Sequence, residues 1–164
     1  MMPRVHRTSA YDLLIALLQA RQWKFDQFSG AEFNLQAPSQ RFRHSYKLRS
    51  HRNDDPDSLS FHLSRDIAFP WKQRNALQKT ASRLNLGSGR FTFSINMSEE
   101  LRLICASHIG RENPEHKEEV VEKLLDDAMV RMDCGWEAVQ LVLHACKDPV
   151  DAVQTARLKT YGRK

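Results

Sequence analysis

Between Leu84 and Ile109 the chain reads LNLGSGRFTFSINMSEELRLICASHI, and this stretch limits the fold more than any other. Phe91, Phe93 and Ile95 share one parity, and Leu101, Leu103 and Cys105 share the next. Alternation at period two marks strands with one buried face. The Asn96–Glu99 link is short enough to close them into an antiparallel hairpin, with Thr92, Ser94 and Arg102 pointing away from the core. A helix runs into this hairpin, because Leu77, Ala81 and Leu84 recur at helical spacing. Gly87 stands where a left-handed residue is wanted to end it.

The rest of the chain supplies the other layers. Ser9 followed by Asp12 has the form of a capping box, and Leu13, Leu14, Leu17 and Leu18 make the stripe of a helix ending near Arg21 to Trp23. Strands are expected over Lys24–Phe28 and Ala31–Ala37, joined at Ser29 and Gly30. From Arg41 to Arg49 the alternation is clean, with Arg41, Arg43, Ser45, Lys47 and Arg49 on one parity and Phe42, His44, Tyr46 and Leu48 on the other. RNDDPD at Arg52–Asp57 is a turn by composition, expected to be solvated. Leu59, Phe61 and Leu63 then face inward on a further strand, and Pro70 suits the first turn of the following helix.

After Pro114 the pattern is helical. Val120, Val121, Leu124, Leu125, Ala128, Met129 and Met132 form a stripe opposite an acidic face of Glu115, Glu118, Glu119, Glu122, Asp126 and Asp127. Gly135 is expected to bend or interrupt this helix before Trp136, Val139, Val142 and Leu143, and Asp148-Pro149 starts a last short helix. The economical assembly is α+β: a single antiparallel sheet with helices packed on one face. One domain over residues 9–158 is expected, with a flexible N-terminus at 1–8 and a frayed tail at 159–164.

Charge is uneven along the 164 residues. The net value is +5, but up to Ile95 there are 15 Lys and Arg against 7 Asp and Glu, a balance of +8, and beyond it 10 against 13, a balance of −3. Cys105, Cys134 and Cys146 have neither zinc-ribbon spacing nor an even count for a disulfide framework. They read as small hydrophobes in a reducing compartment. The apolar run near the start is broken by Asp12 and Gln19 and lacks a cleavage site, and no run reaches bilayer length. A cytoplasmic protein without membrane partners is expected.

The order of elements, the link LNLGSGRFTFSI and the amphipathic run EEVVEKLLDDAMVRMDCGWEAV resemble the YbjN family across about Ser9 to His144. That family is described as putative bacterial sensory transduction regulators, with a fold similar to type III secretion chaperones. The resemblance implies a chaperone-like fold, a regulatory or client-binding role, no transferable catalytic motif, and a tendency to dimerise. It implies also the capture of extended clients along sheet edges and grooves.

No catalytic, cofactor-binding or metal-binding set emerges from the residues. The seven histidines form no H-x-x-x-H pattern, Glu112 with His116 is a chance spacing, and Gly87-Ser88-Gly89 precedes a strand and not a helix. Asp54, Asp55 and Asp57 lack the frame of a calcium loop.

Two surfaces remain. Arg41, Arg43, Lys47, Arg49 and Arg52, near His62, form a candidate face for an anionic partner such as nucleic acid. Charges on an exposed strand also discourage aggregation. Leu77, Ala81, Leu84, Trp136, Val139 and Leu143 form a candidate apolar interface for another protein or a second copy of the chain. The leading expectation is a non-enzymatic bacterial regulatory or chaperone-like module that binds another protein. The alternatives are a small nucleic-acid-binding regulator using residues 41–52 and a dedicated type III secretion chaperone.

Overall fold

A computed structural model of the chain describes residues 8–109 and 114–162, so the expected flexible N-terminus lies outside the described residues except for Thr8, as do the last two residues and Glu112. The elements run α1 (Ala10–Ala20), β1 (Phe25–Phe28), β2 (Glu32–Pro38), β3 (Ser45–His51), β4 (Ser58–Asp66), α2 (Arg74–Leu84), β5 (Phe91–Ile95), β6 (Glu100–His108), α3 (Pro114–His144) and α4 (Pro149–Tyr161). A 3-10 turn at Trp71–Gln73, capped by Pro70, leads into α2. The six strands form one antiparallel sheet in the order β1-β2-β3-β4-β6-β5, which makes this an α+β protein.

Local chemistry fixes the ends of the elements. Ser9 Oγ accepts from the Asp12 amide at 3.1 Å and donates to the Asp12 carboxylate at 2.8 Å, so α1 opens on the expected capping box. Gly87 has φ +72° and lets the chain reverse after α2, with the Ser88 amide donating to the Asn85 carbonyl. Asn85 then fastens helix to hairpin. Its Nδ2 donates to the Phe93 carbonyl at 2.9 Å, and its Oδ1 accepts from the Phe93 amide at 2.6 Å. Both are backbone groups of the edge strand β5, which the side chain thereby covers.

The register lines up the inward residues in rows. Phe33, Ser50, Phe61, Cys105 and Phe91 form one row, and Leu35, Leu48, Leu63, Leu103 and Phe93 the next. Every one of these ten residues is buried. Burying a Leu or Phe side chain stabilises by roughly 1.5–3 kcal/mol, so these rows carry much of the fold. Ser50, the one hydroxyl among them, donates to the Ser60 carbonyl at 2.7 Å. Burial pushes the Cys105 thiol up to about 12, which keeps it protonated and unreactive.

Helix α3 crosses this face without the break expected at Gly135. The residue serves close approach and not a bend, because a Cβ there would lie 2.5 Å from the Phe93 ring. Two residues earlier Asp133 reaches the sheet. Its Oδ1 accepts from Tyr46 at 2.5 Å and from Ser39 at 2.6 Å. Helix α4 covers α2 and α3 through Ala152, Val153 and Ala156, and it continues to Tyr161 where a frayed tail was expected from Lys159. Lys159 pairs with Glu137 at 2.8 Å, and Arg157 Nη2 donates to the carbonyls of Arg83, Leu84 and Leu86, which close α2. Among the described residues no helix is long and apolar enough to cross a membrane.

Candidate anionic-partner interface

The same register that buries one set of residues sets the alternate set on the opposite face. There Asn34, Arg49, His62, Ile104 and Thr92 form one row, and Gln36, Lys47, Ser64, Arg102 and Ser94 the next. These residues are exposed or half-buried, apart from Ser64, a small side chain flanked by Lys47 and Arg102. No carboxylate stands in either row. Acids appear only towards the ends, where Glu32 is opposite His51 and Asp66 is opposite Glu100.

Lys47, Arg49 and Arg102 make no ion pair among the described residues, so their charge is directed at solvent. Its effect is visible at His62. Burial holds this imidazole below its ordinary range, and Arg102, His51 and Arg49 push it the same way. A hollow of about 470 Å³ lies towards β1, lined by Gln27, Phe28, Glu32, Asn34, Arg49, His51 and His62 among others. Phe28 is 56% exposed there.

The expected set of five cations is thus divided. Lys47 and Arg49 lie on the bare face. Arg41 and Arg43 precede β3, in a loop that Ser39 holds by accepting from the Arg41 and Phe42 amides at 3.1 and 3.0 Å. Their apparent alternation is therefore not a strand pattern. Phe42 stacks on His44, and His44 meets Trp136 edge-on at 5.0 Å, while Arg41 turns to Glu137 at 3.6 Å and to the Thr160 hydroxyl. Arg52 lies beyond the end of β3 and pairs with Asp12 at 2.7 Å, its guanidinium 4.7 Å from the Tyr11 ring centre. Hydrogen bonding to Arg52 and Ser9 holds Asp12 below the usual carboxylate range. Arg41 and Arg52 therefore do not belong to the bare face.

Arg102 and His51 belong there although they were not in the set. Arg102 reaches it only because β6 pairs with β4, which sets Arg102 opposite Ser64, 38 residues back in the chain. Strand parity marks Arg102 as outward, but its neighbours are not readable from sequence order.

The expected apolar interface is largely core. Leu77, Ala81, Leu84 and Val139 are buried, on helices that pack on each other and on α4, with α2 also against β5. Trp136 and Leu143 are half-buried and pack on that core, Trp136 beneath His44 and the Arg65 guanidinium. None of the six forms a free stripe.

The Asp-rich turn also differs from its expected solvated state. Asp57 is buried and pairs with the buried ammonium of Lys117, while Asp55 meets His108 at 3.3 Å. Asp55, Asp57 and His108 converge within 4.8 Å, but the lysine already neutralises the buried carboxylate, so the corner is an ion-pair lock between the turn and α3. No protein-family model matches the chain, and a comparison with curated proteins finds no match.

Proposed function

We propose that this chain is a non-catalytic regulatory or chaperone-like module that holds an acidic segment of another protein against the bare face of its sheet. The observation that carries the reading is the pair of acid-free rows with Lys47, Arg49 and Arg102, set on a face that no helix covers. Unpaired cations in neighbouring rows attract a partner electrostatically, while Asn34, Gln36, Thr92 and Ser94 offer it hydrogen bonds. The same residues make a poor stacking platform for bases, since neither row contains a Phe, Tyr or Trp and His62 is the one ring in them.

The sheet edges are poorer docking sites. Asn85 occupies the Phe93 backbone groups on β5, and β1 has four residues and a bulge against β2. The face, and not the edge, is where a client would lie. This fits the regulatory role that the resemblance to the YbjN family implies. A nucleic-acid partner is the second reading, favoured by the same unpaired cations.

The test is capture from a nuclease-treated bacterial lysate by the full chain and by a Lys47→Glu, Arg49→Glu, Arg102→Glu variant. An Asp- and Glu-rich protein retained by the parent and lost from the variant supports the proposal. Equal retention by both, or recovery of nucleic acid alone from untreated lysate, contradicts it.

A further inference from the structure

Helix α4 is apolar on two sides. Ala152, Val153 and Ala156 are buried, while Val150, Leu158 and Tyr161 are 44, 63 and 55% exposed, with Leu86 beside them at 57%. At 3.6 residues per turn, Val150, Gln154, Leu158 and Tyr161 fall within an arc of roughly 80°, and the buried three lie across the helix axis. One stripe is enough to dock a helix on its own domain, so the second is left for something else. Hollows flank it. One of about 800 Å³ is lined by Gln78, Ser82, Leu86, Asp148 and Val150 among others, and one of about 470 Å³ by Arg83, Gln154, Leu158 and Tyr161.

The chemistry of this stripe is symmetric about Gln154. Val150 stands four residues before it and Leu158 four after, and Asp151 stands three before and Arg157 three after. We infer that α4 packs antiparallel on α4 of a second copy of this chain, across a two-fold axis at Gln154. Leu158 of each copy then lies over Val150 of the other, at the mouth of the larger hollow. Asp151 faces Arg157 of the partner subunit. The acidic start of each helix lies beside the basic end of the other, which opposes the helix dipoles favourably. A parallel pairing would set Asp151 against its own copy. Pairing through the bare sheet face would do the same with Lys47, Arg49 and Arg102. The carbonyls closing α2 hold the Arg157 guanidinium in place, so little side-chain freedom is lost when a carboxylate meets it.

Sedimentation equilibrium on the full chain tests this, together with circular dichroism on each variant. The parent is expected to approach twice 19.0 kDa as concentration rises. Leu158→Glu should weaken self-association about tenfold or more, as removal of a central contact does. Asp151→Arg should weaken it less, and Val130→Glu, on an exposed part of α3, should leave it unchanged. In a Cys146→Ser background, Gln154→Cys should be joined into a dimer by a short bis-maleimide. A single mass of 19.0 kDa at all concentrations overturns the inference. So does a dimer that persists in Leu158→Glu, or one that Gln154→Cys fails to join.

Discussion

The two faces of the sheet are made by the same strands and differ in how their side chains are held. On the helix side neighbouring groups fit by contact, with Phe93 against Gly135 and both Tyr46 and Ser39 on Asp133. On the bare side the charged groups of Lys47, Arg49 and Arg102 have no ion-pair partner among the described residues. The first face is specified by shape and the second by charge. A fold can therefore depend on one set of residues while the alternate set stays available to a partner.

Substitutions at adjacent residues of β3 break the comparison most sharply. Leu48→Ala on the buried face should destabilise by about 2–5 kcal/mol, while Lys47→Ala beside it should stay within about 0.5 kcal/mol, as denaturant unfolding of both variants would show. Equal losses would mean that the bare face is also structural. Gly135→Val is next, since its side chain would enter the Phe93 ring; a loss of about 1–3 kcal/mol is expected and is read as a lowered melting temperature. Tyr46→Phe should cost about 1–3 kcal/mol, because the buried Asp133 would keep only Ser39 of these two donors.

The smallest effect is on acidity. His62 has a folded pKa below its ordinary 6.5, so the unfolded chain takes up the proton first as pH falls. Stability should therefore decline as pH drops through about 6.5 and level off below the folded value. His62→Gln should reduce that decline in unfolding curves taken across this window. An unchanged decline would place its cause elsewhere, with His44 the next group to test, because burial and then Arg65 lower its pKa as well.

Much of the helix-packed face was legible because alternation and parity report burial directly. Phe91, Phe93, Ile95, Leu101, Leu103 and Cys105 all point inward as their spacing predicts. The bare face was half legible. Lys47 and Arg49 follow from the pattern of one strand, but Arg102 joins them through a strand pairing that no local spacing encodes. Arg41 and Arg43 were drawn into the set by alternation that a loop imitates, with Phe42 and His44 packed towards Trp136 for tertiary reasons. Likewise Leu77, Ala81 and Leu84 are buried where α2 packs on β5, α3 and α4, and their helical spacing alone does not report which elements lie against them.

The central claim is that the bare face binds an acidic protein segment. Fluorescence anisotropy of a labelled glutamate-rich peptide and a single-stranded oligonucleotide of equal charge tests it, with the parent chain and the Lys47→Glu, Arg49→Glu, Arg102→Glu variant at low and raised salt. Tighter binding of the peptide by the parent, weakened by salt and lost in the variant, is the predicted result. Tighter binding of the oligonucleotide, or peptide binding that survives the three reversals, would contradict the account.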